Sequence, residues 1–235
     1  MGDFGQAFVA AYQLLVGLDP DLLEIVALSL QVSLTAVLFA TLIGVPLGAA
    51  LAVLRFPGRG IAVTLLNALM GLPPVVVGLV VYLLLSRAGP LGELGLLFTP
   101  TAMVIAQALL VTPIVAALSR QTLEDLYEEY RDHLSSLGVR RAGTVATLIW
   151  DGRFSLVTAV LAGFGRASAE VGAVLMVGGN INHVTRVMTT TIALETSKGN
   201  LSLALGLGII LVGLSILVNG LVMGLRSSAA RLAYA

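Results

Sequence analysis

Residues Arg120–Arg153 read RQTLEDLYEEYRDHLSSLGVRRAGTVATLIWDGR, the one strongly polar run in a chain otherwise made of long apolar segments. Within it Leu123, Leu126, Tyr127, Tyr130, Leu134 and Leu137 recur at spacings of three and four, which predicts a helix with a single apolar stripe. Glu124, Asp125, Glu128, Glu129 and Asp132 fill the other side. Gly138 follows the last apolar position, where a left-handed cap needs no side chain. Arg140 and Arg141 come just beyond, so acids precede bases in the sense the helix dipole favours. A short amphipathic helix held between membrane spans is either a docking surface or a solvated connector, and periodicity alone leaves both open.

Outward from this run the composition sets the solvent. The chain has 235 residues, 57% of them hydrophobic and 11% charged, and its mean hydropathy is +1.00. Soluble domains carry roughly 25% charged residues, so the expected fold is an all-α polytopic membrane protein. Cysteine is absent, which excludes disulfides, thiolate nucleophiles and cysteine metal sites. Zero formal net charge argues against nucleic acid as a partner. The opening MGDFGQAFVAAYQLL lacks the basic flank of a cleavable signal.

Five spans are expected, at about 22–54, 61–85, 100–119, 154–177 and 201–225, in one continuous membrane domain with the polar loop at 120–153. Residues 4–17 are apolar but short, and are expected as an N-terminal interfacial helix or one packed on the bundle. Pro20 suits a first helical turn, and Pro46 is expected to bend the first span unless its end projects from the membrane. Pro73 and Pro74 interrupt the second span, as a simple kink or as a break lining a pathway. Nine of the thirteen basic residues (Arg55, Arg59, Arg120, Arg131, Arg140, Arg141, Arg153, Arg226 and Arg231) fall on one side of this arrangement. The positive-inside rule then places the N-terminus outside, and the C-terminus and polar loop in the cytoplasm.

Inside the fourth span Arg166 and Glu170 stand four apart on one helical face. A charge at mid-bilayer costs about 2.5–3.5 kcal/mol on insertion scales. The two therefore read as a self-neutralising packing pair or as part of a translocation pathway or gate. Gly163, Gly165, Ala167, Ala169, Gly172 and Ala173 allow close helix approach. Thr189, Thr190 and Thr191 lie in a polar segment from Gly178 to Asn200, where exposure in a connector is the commoner case and lining of an outer mouth the alternative. His133 and His183 stand alone, neither at a metal-ligand spacing.

Two motifs carry a resemblance. Asp132-His133-Leu134, then Gly138 and Leu148-Ile149-Trp150-Asp151, are similar to the E-A-A, three residues, G, nine residues, I-x-L-P loop of ATP-binding cassette importer permeases. Asp replaces Glu, His-Leu replaces Ala-Ala, and Trp-Asp replaces Leu-Pro. Gly165-Arg166-Ala167-Ser168-Ala169-Glu170-Val171-Gly172-Ala173, followed by Gly178-Gly179-Asn180, resembles the G-R-A-x-G-E-x-G-A…G-N run of molybdate, tungstate and sulfate permeases. GPLGELGLLFTPTAMVIAQ at 89–107 and TRVMTTTIALETSKGN at 185–200 most resemble the tungstate branch. The resemblance implies a homodimeric, non-catalytic permease with two ATPase subunits, an extracytoplasmic oxyanion-binding protein and the lipid bilayer as partners.

ATP and its magnesium would then belong to the ATPase subunits, since this sequence has no G-x-x-x-x-G-K-[ST] phosphate loop and no cofactor is expected on it. Tyr127, Tyr130, Asp132, His133, Leu134, Leu137 and Gly138 would form the coupling helix seated in the ATPase. Pro73, Pro74, Arg166, Glu170, Asn180, Thr189 and Thr190 are the candidates for pathway or gate. Tungstate or molybdate is the expected cargo, with sulfate or another oxyanion as the alternative. A proton-coupled transporter using Glu170 would need no docking loop, and the absence of inverted repeats weighs against it. A membrane hydrolase built on Ser168 would lack a histidine base within a span.

Overall fold

A computed structural model of the chain describes residues 20–233, together with Gly5, Phe8, Val9, Tyr12 and Gly17. The interfacial helix expected at 4–17 lies largely outside the described residues. Those described are helical and irregular, with no strand among them. Among the described residues, three helices are long and apolar enough to cross a membrane, or five spans in all if each bent helix pair counts as one. Apolar side chains cover the surface as well as the core: Leu42, Ile61, Ile216 and Leu221 are all more than half exposed. That is the surface of a protein solvated by lipid rather than water.

The helices are α1 (Pro20–Val53), α2 (Arg59–Leu69), α3 (Pro74–Leu85), α4 (Pro100–Ser136), α5 (Arg141–Asp151), α6 (Arg153–Ser168), α7 (Gly172–Gly178), α8 (Met188–Ser197) and α9 (Leu201–Ala233). Prolines start several of them. Pro20 opens α1, Pro74 follows the N-cap Pro73 of α3, and Pro100 opens α4 behind Thr99, whose Oγ1 accepts the Ala102 N–H at 3.4 Å. Each sits where its missing N–H would have had no helical partner. The Gly71–Pro74 interruption is thus a full stop and restart, with Met70, Gly71 and Leu72 donating back to Asn67, Ala68 and Leu69. Pro46 and Pro113, by contrast, lie inside uninterrupted helices.

The chain divides into two compact units. The first comprises Met1–Thr35, Pro73–Gln107 and Ser168–Gly224, and the second Ala36–Leu72, Ala108–Ala167 and Leu225–Ala235. In the first, Leu22 of α1, Met188 of α8, and Leu207 and Ile210 of α9 form a buried cluster. Ser29 pins α8 to α1: its Oγ accepts the Met188 N–H at 2.8 Å and donates to the Ile25 carbonyl at 2.6 Å. There α3 packs on α7, where a Cβ on Gly78 would lie 2.8 Å from Ala173 Cα.

In the second unit Leu51, Leu66, Ala116 and Ala117 form the core. A GxxxG pair at Gly44 and Gly48 lets α1 cross α4 with backbones in contact. Gly163 of α6 faces Val111 and Val115 in the same way. Of the small residues singled out in the fourth span, Gly163, Gly172 and Ala173 meet a neighbouring helix, while a Cβ added to Gly165 would meet no atom within 4 Å.

Three expectations change here. First, the amphipathic helix is not a separate element. It is the end of α4, whose 37 residues run unbroken from Pro100 to Ser136, about 55 Å at the α-helical rise and well beyond a bilayer core of about 30 Å. Second, the 154–177 stretch is covered by α6 and α7, with a break at Ala169–Val171. α6 is instead bent by 77° from the helix before it, across Gly152.

Third, the Gly178–Asn200 segment contains a helix rather than an exposed connector. Thr185, Thr189, Thr190 and Thr191 are all buried. Their hydroxyls are taken up by backbone: Thr189 donates to the Glu170 carbonyl at 2.8 Å and Thr191 to that of Val187 at 2.8 Å. Thr185 both donates to the Gly178 carbonyl at 2.6 Å and accepts the Ile181 N–H at 3.0 Å. Thr185→Val keeps the shape and leaves both backbone groups unpaired, so thermal denaturation in detergent should show a loss of about 1–3 kcal/mol. Thr185→Ser keeps the hydroxyl and should recover most of it.

Candidate functional site

The polar projection of the second unit is built from the end of α4, a turn, and α5. Leu123 and Leu148 are fully buried, and Gly152 leaves no room for a Cβ beside the Leu123 and Leu126 methyls, 3.0 Å away. This packing seats the base of the projection. Tyr127, Tyr130 and Leu134 are half-buried along the same stripe. At the tip the burial ends: Asp132, His133, Gly138, Val139 and Arg140 are exposed, and Leu137 is 74% exposed. The stripe therefore continues in sequence past the point where any described residue covers it.

Gly138 has φ 64°, the left-handed region. The Val139 N–H donates to the Leu134 carbonyl and the Gly138 N–H to that of Ser135, both at 3.1 Å. This pair of bonds is a Schellman cap, which closes a helix and fixes the direction in which the chain leaves it. Trp150 is 68% exposed, and the Arg153 guanidinium lies over its ring at 4.6 Å and over that of Phe154 at 4.5 Å.

At the root of the projection sits a charge cluster that periodicity misassigned. Glu124 is not on the solvated acid face. Its side chain is 22% exposed and its two carboxylate oxygens are each bonded to an arginine, Arg59 of α2 and Arg120 one turn back on α4. Arg59 also donates through Nε to the Leu51 carbonyl at 2.8 Å. Leu51 belongs to the last turn of α1, where carbonyls have no helical partner.

The other candidate residues are spread more widely. Arg166 is in the last turn of α6, while Glu170 lies beyond the helix end at Ser168, so no continuous helical face holds both. Glu170 is 3% exposed, and its Oε1 accepts the Ala173 N–H at 3.0 Å, at the start of α7. The break in the helix gives this carboxylate a backbone donor that an unbroken helix would not offer. Pro73 and Pro74 form the start of α3. Asn180 has φ 51° and a buried Oδ1 with no hydrogen-bond partner among the described residues. Thr190 accepts the Val187 N–H at 3.1 Å and, with Thr189, is engaged by backbone.

His183 does not stand alone. Its Nδ1 is 2.8 Å from Glu24 Oε2, and donor atoms of Asp21, Glu24 and His183 all lie within 4.8 Å of one another. Arg186 lines the same small cleft, a cation beside the cluster, and the arrangement reads as an exposed ion pair. Hydrogen bonding to Glu24, and then its charge, raises the His183 pKa above 6.5. A raised folded-state value means that the pair contributes below the unfolded pKa and is lost as pH rises through the folded one. His183→Ala should therefore lower the melting temperature at about pH 5.5 and leave it unchanged at about pH 9.

Comparison with known proteins agrees with this architecture. Residues 44–228 match the model of the family described as binding-protein-dependent transport system inner membrane component. The chain is 40% identical, over 94% of its length and 97% of the relative's, to the tungstate uptake system permease protein TupB of Peptoclostridium acidaminophilum. It is also 40% identical to a probable anion ABC transporter permease protein of Haloferax volcanii, over 85% of this chain and 88% of that one. The sulfate transport system permease protein CysW of Synechococcus elongatus is more distant, 26% identical over 84% of this chain and 72% of its own. With its apolar helices and a family match across most of its length, this chain is a multi-pass membrane protein that belongs to the inner membrane component family of binding-protein-dependent transport systems.

Proposed function

We propose that this chain is the permease subunit of an ATP-driven importer for tungstate, with molybdate as the nearest alternative cargo. The observation that carries the reading is the 40% identity to a tungstate uptake permease along nearly the whole of both chains, against 26% for a sulfate permease. Two copies of the chain form the pathway, two ATPase subunits hold ATP and magnesium, and an extracytoplasmic protein delivers the oxyanion. The N-terminus lies outside, and the C-terminus and the projection lie in the cytoplasm, as the arginine distribution favours.

On this reading the exposed tip around Asp132, His133, Leu137 and Gly138 is the coupling surface that enters the ATPase. Tyr127, Tyr130 and Leu134 stiffen it from beneath. Pro73, Pro74, Arg166, Glu170, Asn180, Thr189 and Thr190 belong to the pathway or its gate. Closure of the ATPase pair on ATP moves the tips and rocks the spans between inward- and outward-open forms.

The reading is tested by reconstituting the chain in lipid with its candidate ATPase and binding protein, and titrating tungstate, molybdate, sulfate and phosphate against ATP hydrolysis. Tungstate is expected to stimulate hydrolysis at the lowest concentration. Failure of any ATPase subunit to associate, with no oxyanion stimulating turnover, overturns it.

A further inference from the structure

Three elements of the second unit converge on one side chain. Arg59 is the first residue of α2, donates through Nε to the Leu51 carbonyl in the last turn of α1, and binds Glu124 of α4 through a terminal nitrogen. Arg120, on the turn before Glu124, takes the other carboxylate oxygen and so orients it towards Arg59. The cluster lies beside a close approach of α1 and α4, since a Cβ on Gly48 would fall 2.8 Å from the Arg120 backbone nitrogen. Twelve residues further along the same uninterrupted α4 is its last residue, Ser136, at the exposed tip. An α-helix is stiff over that distance, so a push on the tip is delivered to Glu124 with little loss.

We propose that Arg59 is a positioning residue for transport: its forked guanidinium clamps the end of α1 and the start of α2 to Glu124, so that a displacement of the projection moves the first two spans together with α4. This rests on the importer reading above. The chemistry asks for arginine. A guanidinium can serve a carbonyl and a carboxylate at once in fixed directions, whereas a lysine ammonium is a compact point charge without a fork. The side chains are half-buried, with 18% exposure for Arg59 and 22% for Glu124, so water competes only partly for the bonds. Gly58 just before Arg59 has φ 87°, turning the chain so that α2 begins directly after the basic loop.

The test measures ATP hydrolysis and tungstate uptake side by side in the reconstituted complex, for the unmodified chain, Arg59→Lys, Arg59→Ala and Glu124→Gln. The expected result is near-normal assembly with the ATPase and continued hydrolysis, with uptake per ATP falling at least about tenfold in all three variants, Arg59→Lys included. The chain has no cysteine, so Arg59→Cys with Glu124→Cys can be bridged by a short bis-methanethiosulfonate, which joins the two thiols through reducible disulfides. Bridging should restore uptake per ATP, and reduction of the link should abolish it again.

Uptake per ATP unchanged in Arg59→Lys and Glu124→Gln overturns the inference while the importer reading stands. So does loss of assembly and hydrolysis together with no recovery on bridging, because the cluster would then serve folding alone. If the unmodified chain binds no ATPase, the importer reading fails and the inference fails with it.

Discussion

Gly48→Leu is expected to remove the folded chain from the membrane fraction, and Gly48→Ala to lower its melting temperature sharply. A Cβ at this position would lie 2.5 Å from the Ala116 carbonyl oxygen and 2.8 Å from the Arg120 nitrogen. Both obstacles are backbone, so no rotamer change relieves them and α1 must move away from α4. Overpacking typically costs about 1–3 kcal/mol where side chains can yield. Here they cannot, and the separation also pulls Arg59 from Glu124 and loosens the Leu51, Leu66 and Ala116 core. Gly213→Ala is the control: nothing lies within 4 Å of its added carbon, and alanine favours the helix by about 1 kcal/mol over glycine. Circular dichroism melting in detergent and membrane yield check both. A Gly48→Leu chain that melts like the unmodified one would show that the close crossing is not what holds α1 in place.

The second large effect is functional. On the proposed importer reading, Gly138→Val should reduce association with the ATPase subunit by about tenfold or more and abolish oxyanion-stimulated hydrolysis, with little change in the melting temperature of the chain. The left-handed conformation at Gly138 costs an L residue about 1–2 kcal/mol, and most for a branched one. Valine therefore unwinds the cap and redirects Val139 and Arg140. Gly138 is exposed and its Cβ would meet nothing, so the penalty falls on the conformation of the tip and not on the core. Asparagine tolerates this region, and Gly138→Asn should keep most of the activity. Surface plasmon resonance against the ATPase, with melting curves in parallel, separates loss of docking from loss of fold. Unimpaired association of Gly138→Val would mean that the tip is not the contact.

Local rules carried much of this molecule. Mean hydropathy and run length identified a membrane protein, because lipid rewards apolar surface wherever it falls along the chain. Proline at first turns and glycine at Gly138 marked helix ends, because the constraint lies in the residue's own backbone. The resemblance around Gly165–Ala173 pointed to the transporter family that the comparison then bore out.

What local rules misjudged were polar groups whose setting depends on a distant segment. Glu124 falls among the acids of its helix in the sequence pattern; Arg120 one turn back takes one carboxylate oxygen, and the arrival of Arg59, 65 residues earlier, takes the other. Glu24 meets His183 across 159 residues. The threonines of 185–191 look like a solvated connector until the fold buries them and gives each hydroxyl a backbone partner. Arg166 and Glu170 share a helical face only if the helix continues, and it stops at Ser168. Membrane partition and capping are settled within a few residues of the chain. Whether a charge or hydroxyl is solvated is settled by whichever remote segment packs over it, and that became legible only in the folded molecule.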